Sequence, residues 1–368
     1  MLAFSASLAQ ESPMKILIVK MSSMGDIFHT FPAISDLKAH FPDAEIHWIV
    51  EDSFKEIAAW HPAVTKVIPI KLRHWLKERK LSSWREFKDW KLALQQETYD
   101  YVVDAQGLLK SALVARCAKH KGIHGYHKDS SREAISHWLY QSRYKIGKDR
   151  HAVQRIRQLF GKIFYYTPSE TLNFGINQNF IHIAENPRKL IFIIGTSWVT
   201  KLWATSHWQQ LTTMAIAAGF DVEIIWGSQQ EQDIAQQIID HCPQATRPSE
   251  RMSITGIAEK LVSAAGVVGL DTGFSHLAGA LEIPTIAIYG PTSPTKVGLI
   301  GEHTLNLGLT PLLQCMPCHK RHCKWLPENS NATPQCMSGV SAENVWQELQ
   351  NKLNTTQTLS PADTSPSP

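Results

Sequence analysis

Short apolar runs alternate with longer stretches of helical periodicity along most of the chain. The runs are rich in Val, Ile and Leu, as expected of strands that are buried on both faces of a sheet. They lie at 14–20, 46–50, 67–70 and 101–107, and then again at 190–194, 222–227, 264–270 and 284–290. Strands that alternate with helices at this spacing predict doubly wound parallel sheets. We therefore expect an α/β protein with two Rossmann-like domains that face each other across a cleft.

The length of 368 residues also favours two domains, because it exceeds what one ordinary α/β core requires. We place the first domain at 14–175, the second at 186–355, and a polar, turn-rich linker within 166–188. Residues 1–13 lack the basic start of a signal peptide, and Met14 is an alternative start. Residues 356–368 are rich in Ser, Thr and Pro. Both ends are expected to be disordered.

An Asp-Thr-Gly turn at 271–273 separates the apolar run 264–270 from a predicted helix at 275–281. The free N–H groups and positive dipole end of that helix favour a phosphate or pyrophosphate. Thr272 and His276 add donors beside them. An ordinary capped strand-to-helix junction gives the same pattern. A similar Gly-bearing turn follows the first strand at 21–26, however, and this recurrence favours a functional site.

The positive charge is concentrated in one part of the chain. Residues 66–165 hold 22 Lys and Arg against 9 Asp and Glu, whereas the rest holds 15 against 24. Such segregation points to an anionic partner, with nucleic acid, an anionic lipid head group and a membrane surface as candidates. A merely solvated basic face would not explain the segregation as well. No apolar run is long enough to span a bilayer.

Four cysteines cluster near the end of the second half, with His319 and His322 between them. They are Cys315, Cys318, Cys323 and Cys336. This spacing is compatible with a structural zinc or iron–sulfur site, although it fits no standard finger closely. A set of reduced cysteines in a loop is the alternative.

The sequence resembles the lipopolysaccharide heptosyltransferases over about residues 14–350. The opening turn at 18–33, the motif Val-Asp-Ala-Gln-Gly-Leu at 103–108, the turn at 271–277 and the stretch at 289–294 carry the resemblance. The opening turn is most similar to that of heptosyltransferase I. Trp198 stands where that type commonly has a charged residue, and the cysteine cluster is more typical of heptosyltransferase II. Transfer by the second type therefore stays open as an alternative.

The resemblance implies a GT-B fold and an inverting glycosyltransferase that needs no metal for catalysis. The donor would be ADP-L-glycero-β-D-manno-heptose, and the acceptor would be Kdo-lipid A of the lipopolysaccharide inner core. Two other classes remain. A GT-B-like sugar-nucleotide epimerase would not need the basic first half, and a nucleic-acid-binding protein would not need the turn at 271–277.

The resemblance also implies roles for individual residues. Asp26 would be the general base, although a helix cap is the simpler interpretation of its position alone. Lys201 would neutralise the departing ADP, and His276 would either contact the donor or brace its turn. Asp271 would bind heptose hydroxyls, Glu231 the ribose and Met252 the adenine. The other expected donor-site residues are Ser22, Ser23, Gly25, Thr196, Ser197, Thr272 and Gly273.

The basic half supplies the candidates for binding the anionic acceptor, namely Arg73, His74, Lys77, Arg132 and His151. Basic side chains at 73–80 and 143–157 are also expected to face an anionic membrane surface. Trp75 and Trp84 would lie at that surface or in the core. The expected location is the cytoplasm, with peripheral association at the inner face of the inner membrane.

Overall fold

The apolar runs form parallel strands in the computed structural model, which describes residues 13–78, 80–327 and 332–359. The expected disorder of residues 1–12 and 360–368 lies outside the described residues. The strands are β1 Lys15–Val19, β2 Glu45–Glu51, β3 Val64–Ile70, β4 Thr98–Tyr99, β5 Tyr101–Asp104, β6 Lys119–His120, β7 Ile123–Tyr126, β8 Ser142–Tyr144, β9 Asn186–Ile193, β10 Asp221–Ile225, β11 Ala264–Leu270, β12 Thr285–Tyr289 and β13 Thr304–Gly308.

Helices fill most of the connections between these strands. They are α1 Met24–Phe28, α2 Phe31–His40, α3 Lys55–Ala59, α4 Leu72–Glu78, α5 Leu81–Leu94, α6 Leu109–Ala115, α7 Ala152–Phe164, α8 Thr205–Ala217, α9 Gln229–His241, α10 Ile254–Val262, α11 Gly273–Ala280, α12 Pro294–Val297, α13 Gln335–Ser338 and α14 Ala342–Leu359. Because α14 extends to Leu359, it includes the first residues of the C-terminal stretch that was expected to be disordered.

The chain divides into two units. Of the described residues, the first contains those up to Ser22 together with Pro32–Lys148 and Ile156–Glu170. The second contains Ser23–Phe31, Asp149–Arg155 and the described residues from Thr171 onward. Each unit is thus built from separate segments, whereas the sequence suggested continuous domains at 14–175 and 186–355. Those boundaries stay a prediction.

The first unit is built on a six-stranded parallel sheet with the order β3-β2-β1-β5-β7-β8. Leu17 and Val19 point into an apolar cluster on one face, together with Val102 of β5 and Leu94 of α5. Arg157 of α7 is also buried, and its guanidinium donates to both carboxylate oxygens of Asp36 in α2 at 2.6 and 2.9 Å.

The second unit is built on a five-stranded parallel sheet with the order β10-β9-β11-β12-β13. Phe192 of β9 and Val268 of β11 pack with Trp208 of α8 in its core. Because all five strands are parallel, their carboxyl ends share one edge, where loops after neighbouring strands meet. Those loops hold most of the candidate site.

The largest local difference from expectation concerns the segment after β1. The helical spacing of residues 27–40 predicts one helix there, but the structure has α1 and α2 with a break at His29 and Thr30. Pro32 has no N–H to continue the helical hydrogen bonds. The Thr30 hydroxyl instead donates to the Asp26 carbonyl oxygen at 2.9 Å. The break makes α1 a separate short helix, which belongs to the second unit.

Candidate active site

The centre of the site is the turn between β11 and α11. β11 is buried along almost its whole length and delivers Asp271 to the carboxyl edge of the sheet. Thr272 is the N-cap residue of α11, with extended backbone, and Gly273 is the first helical residue. Ser275 fixes the turn because its hydroxyl donates to the Leu270 carbonyl oxygen at 2.6 Å. The expected strand, turn and helix are therefore all present, with the helix starting two residues earlier than predicted.

Asp271 is held in a buried ion pair. The Lys201 ammonium lies 2.7 Å from Asp271 Oδ2, and the Thr292 hydroxyl donates to the same oxygen at 2.5 Å. His276 Nε2 lies 3.8 Å from Oδ1. Burial acts to raise the pKa of Asp271, but the hydrogen bond from His276 and the charge of Lys201 outweigh it and hold this pKa below its usual range. Asp271 is thus a carboxylate at neutral pH, with a cation beside it.

Lys201 reaches Asp271 from a 3-10 helix at Val199–Lys201 that follows β9. Its ammonium also lies 4.5 Å from the centre of the Trp198 ring, and the Arg321 guanidinium lies 5.3 Å from the same ring. Trp198 therefore lies against two cations. It does so at the position where the sequence resemblance led us to expect a charged residue. In the loop before it, the Thr196 hydroxyl lies 3.4 Å from the Asp271 carbonyl oxygen, whereas Ser197 is exposed.

Glu231 closes the N-terminus of α9. Its Oε2 accepts from the backbone N–H groups of Gly227 and Ser228 at 2.7 and 3.1 Å, and Ser228 completes a capping box. Its carboxylate also lies against Gly195, where a Cβ would come within 2.3 Å of Oε1. Met252 is half-buried just before α10 and contacts Gly256. The ribose and adenine contacts expected of these two residues stay predictions.

Asp26 lies in α1, which packs against α11 within the second unit. Its Oδ2 accepts from both the backbone N–H and the hydroxyl of Ser23, each at 3.0 Å. A Cβ on Gly25 would lie 2.8 Å from His276 Cδ2. Ser23 is the N-cap residue of α1, and Asp26, at the third helical position, supplies the reciprocal contact of the capping box and not the cap itself. The same packing brings its helix to the N-terminal part of α11, close to the Asp271 turn, which a base for this site requires.

A row of histidine rings joins α1 to α11. The ring centre of His29 lies 4.7 Å from that of His276 and 5.6 Å from that of His151. His151 Nε2 lies 3.0 Å from the Gly298 carbonyl oxygen, and its Nδ1 accepts from the Val153 N–H. Burial lowers the pKa of His151, so its ring is neutral near pH 7.

The acceptor candidates fall into different surroundings. Arg73, His74, Lys77 and Arg132 are exposed on the first unit, whereas His151 belongs to the second unit. A neutral His151 with both nitrogens engaged offers no positive charge to an anion, so its contacts do not support the predicted acceptor role. Ser22 is buried and belongs to the first unit, whereas Ser23 belongs to the second.

The Val-Asp-Ala-Gln-Gly-Leu motif has a structural explanation. Asp104 is fully buried at the end of β5, and burial raises its pKa. Its carboxyl group accepts from the Tyr140 hydroxyl at 2.7 Å, the Ser111 hydroxyl at 2.8 Å and the backbone N–H groups of Gln106 and Gly107. These bonds turn the chain after β5, and Gly107 takes the φ of +69° that the turn needs.

The four clustered cysteines are all free thiols. Cys315, Cys318 and Cys323 line a cavity of about 210 Å³ with His322 and Trp325, while Cys336 is buried against Gly290. Within residues 13–78, 80–327 and 332–359, no group of three or more His, Cys, Asp or Glu side chains is arranged to hold a metal ion. The structural zinc or iron–sulfur site suggested by their spacing stays a prediction.

Comparison with known proteins agrees with this geometry. The family model of glycosyltransferase family 9 (heptosyltransferase) matches residues 88–327. The lipopolysaccharide heptosyltransferase 1 of Pseudomonas aeruginosa is 35% identical over 360 residues, which cover 94% of this chain and 100% of the relative. The chain belongs to glycosyltransferase family 9. The expected recognition of a heptosyltransferase is thereby confirmed.

Solved structures of family members share the fold of this glycosyltransferase. The structure of E. coli heptosyltransferase WaaC with ADP matches with a TM-score of 0.81 and 33% identity, covering 92% of this chain and 100% of that chain. The structure of the same enzyme with ADP-2-deoxy-2-fluoro heptose matches with a TM-score of 0.78 and 32% identity, covering 92% and 99%. The expected GT-B fold class is confirmed.

Sequence reasoning missed two contacts of this glycosyltransferase site. Thr292 was part of a quoted family motif but was given no role, although it hydrogen-bonds Asp271. Its position was a usable signal, because β11 and β12 are adjacent and parallel and the residues after them must meet. His29 was likewise quoted without a role. No pattern in the sequence indicates that its ring lies against His276.

Proposed function

We propose that this enzyme transfers L-glycero-D-manno-heptose from ADP-heptose to a Kdo hydroxyl of Kdo-lipid A, with inversion at the anomeric carbon. One observation carries the proposal. The buried Lys201–Asp271 pair lies at the N-terminus of α11, and the helix bearing Asp26 packs against the same end. A cation, a helix terminus and a carboxylate base are what transfer from a nucleoside diphosphate sugar requires.

In the proposed reaction, the oxygen of the acceptor hydroxyl attacks the anomeric carbon of heptose, and Asp26 takes the proton of that hydroxyl. The bond between that carbon and the diphosphate oxygen breaks, and ADP leaves with the bonding electrons. Lys201 and the amides of Thr272 and Gly273 stabilise the negative charge of the diphosphate. Asp271 orients Lys201 and accepts hydrogen bonds from heptose hydroxyls. Glu231 and Met252 contact the ribose and the adenine.

The acceptor side is proposed to lie on the first unit. Arg73, His74, Lys77 and Arg132 are exposed and positively charged or protonatable there. Their charge suits the phosphates and carboxylates of Kdo-lipid A. Because this acceptor is a membrane glycolipid, we propose that the enzyme works at the inner face of the inner membrane. None of the helices in the described part of the chain combines the length and apolar character needed to cross a bilayer.

Product analysis with ADP-heptose tests this proposal. Kdo-lipid A and its mono-heptosylated form are supplied as separate acceptors, with activity measured with and without EDTA. We expect transfer to Kdo-lipid A alone, and we expect it to persist in EDTA because Lys201 and the α11 amides hold the diphosphate. Transfer only to the mono-heptosylated acceptor would assign the second heptose instead. Donor turnover without any acceptor product would point to an epimerase.

A further inference from the structure

α5 carries apolar side chains on two opposite faces, which an ordinary surface helix does not. Its inner face is Ser83, Phe87, Trp90 and Leu94, which are buried or half-buried. At 3.6 residues per turn, Leu81, Trp84, Lys88 and Leu92 fall within about 80° of one another on the other side. We call Leu81, Trp84, Arg85, Lys88 and Leu92 the outer stripe of α5.

The outer stripe is open to solvent. The exposed fractions are 73% for Leu81, 67% for Trp84 and 49% for Leu92, and both Arg85 and Lys88 are exposed. Trp75 of α4 behaves differently. It is half-buried against Phe87 and Trp90. The sequence left both tryptophans undecided between surface and core, and the structure separates them.

Exposed apolar side chains continue beyond α5 on the same side of the first sheet. They are Leu76 of α4, Leu113 of α6, and Ile135 and Trp138 of the 3-10 helix Ala134–Leu139. α5 and α6 are tied together where Gln95 donates to the Cys117 carbonyl oxygen at 2.8 Å. Leu109, at the start of α6, donates its N–H to Glu133 at 2.7 Å, which ties α6 to the 3-10 helix. Several elements that pack on the same apolar cluster of the first unit therefore carry exposed apolar side chains.

The charge of this region identifies the kind of partner. Residues 71–91 hold eight Lys and Arg against three Asp and Glu. Two of the three acidic groups are already engaged, Glu78 by Lys80 and Glu86 by the Trp75 ring N–H. A second copy of this chain on the same surface would bring like charges together. A basic, apolar helix face with an exposed Trp instead fits an interface where anionic head groups meet acyl chains.

We propose that the outer stripe of α5 docks on an anionic lipid surface, with Trp84 and Leu81 entering the head-group region and Arg85 and Lys88 contacting lipid phosphates. The proposal rests on the proposed function only in that a lipid-borne acceptor makes such docking useful. It also revises the surface expected from sequence. Arg157 is buried in its ion pair with Asp36 and cannot reach lipid.

Vesicle co-sedimentation of the full chain tests the docking. The vesicles are phosphatidylcholine alone or phosphatidylcholine with about one-third phosphatidylglycerol, at low and high salt. We expect binding to the anionic vesicles only. The variant Leu81→Ala/Trp84→Ala should lower partitioning by about tenfold or more, because the lost apolar burial is large. The variant Arg85→Gln/Lys88→Gln should lower it by about tenfold and flatten the salt dependence.

The matched control is Leu312→Ala/Trp325→Ala, which removes the same residue types at 68% and 71% exposure in the second unit. This control should bind vesicles like the unaltered chain. Equal losses in control and outer-stripe variants, or no loss in either outer-stripe variant, would overturn the proposal. A dimer in sedimentation that disappears with Leu81→Ala/Trp84→Ala would also overturn it, since the occupant would be a second copy. The charge variant keeps the test valid if the apolar variant fails to fold.

Activity on an acceptor without acyl chains separates this inference from the proposed function. The outer-stripe variants should transfer heptose to deacylated Kdo-lipid A in solution at the unaltered rate. They should lose rate only with acceptor embedded in anionic vesicles. Absence of transfer by the unaltered chain to any Kdo acceptor would reject the proposed function and leave vesicle binding as an independent result.

Discussion

The ammonium nitrogen of Lys201 lies 2.7 Å from Oδ2 of Asp271, and the two side chains are only 12% and 8% exposed. Such a pair is costly to break from one side, because the remaining charge stays buried without a counterion. Loss of either partner alone should therefore destabilise the fold, and the pair is also the electrostatic centre of the proposed donor site.

Replacing Lys201 with Met should lower the free energy of unfolding by about 3 kcal/mol, since Asp271 loses its cation. Adding Asp271→Asn should restore part of that loss because the uncompensated charge is gone. Urea unfolding of both variants measures this, with Lys296→Met at an exposed position of α12 as the control. Additive losses in the double variant would show that the two groups are not coupled.

Replacing Asp26 with Ala should reduce heptose transfer by about 10²–10⁴-fold, the usual cost of losing a general base. ADP-heptose binding should survive, because the residues proposed to contact the donor are mostly others. Rates of ADP release and calorimetric donor affinity separate the two effects. Asp52→Ala removes a first-turn carboxylate from another short helix and should leave the rate unchanged. Near-native turnover by Asp26→Ala would remove Asp26 from the mechanism.

Replacing Gly25 with Ala should displace His276, because the added methyl group would lie 2.8 Å from His276 Cδ2. We expect a clear loss of transfer with the fold intact. In a His276→Ala background the same change should have little further effect, since the clash is gone. Equal losses from Gly25→Ala with and without His276 would show that the contact is not the cause.

Replacing Arg157 with Gln should lower the free energy of unfolding by about 3–5 kcal/mol, because Asp36 would be left as an unpaired buried charge. Vesicle binding of the folded fraction should not change. Arg150→Gln, at an exposed position seven residues earlier, is the control and should keep full stability. Loss of vesicle binding at unaltered stability would contradict this and would indicate that Arg157 contacts the membrane surface.

His61 should make the protein less stable as the pH falls through the acidic range. Burial lowers its pKa to about 4, and Ser35 and the Ala63 N–H engage its two ring nitrogens. Its pKa in the unfolded chain is about 6.5, so the unfolded state binds more protons between these values. The free energy of unfolding should therefore drop by up to about 3 kcal/mol from pH 6.5 to pH 4.

Urea unfolding of the unaltered chain and of His61→Gln at several pH values measures this contribution. In the variant, the free energy of unfolding should depend less steeply on pH between 4 and 6.5, because the proton taken up by His61 on unfolding is gone. His47 and His124 also have pKa values lowered by burial, so the difference between the two proteins is the quantity to read. Identical slopes would mean that His61 does not stay neutral in the folded state.

The strands and the Asp271 turn could be predicted because their signals are local. β11 and α11 follow directly from an apolar run, a polar turn and a helical stretch, and their observed ends differ by two residues at most. The separation of α1 from α2 was missed, because one proline near a helix start is ordinarily tolerated. Here the break between α1 and α2 is accompanied by the hydrogen bond of the Thr30 hydroxyl and by the packing of α1 on α11, and packing is a non-local property.

Side-chain partners were predicted less well than elements. Nothing in the sequence around Arg157 distinguishes it from the exposed basic residues before it, because its partner Asp36 lies 121 positions away. The cysteine spacing suggested a structural metal, but spacing alone does not fix where the side chains point, so that site stays a prediction. In contrast, Thr292 was predictable from strand adjacency. What sequence conveys is which loops meet at the sheet edge, and only packing determines which side chains touch.

The assignment of Ser23–Phe31 to the second unit has a consequence for biosynthesis. During translation α1 leaves the ribosome long before α11, against which it packs, has been made. The second unit therefore cannot be completed by the newest part of the chain alone, and it must collect a segment synthesised first. A gene fragment that starts at the second run of strands would encode α11 without the helix that covers His276. Expressing this enzyme as two halves divided between the two runs of strands would thus leave α1 on the half that lacks α11.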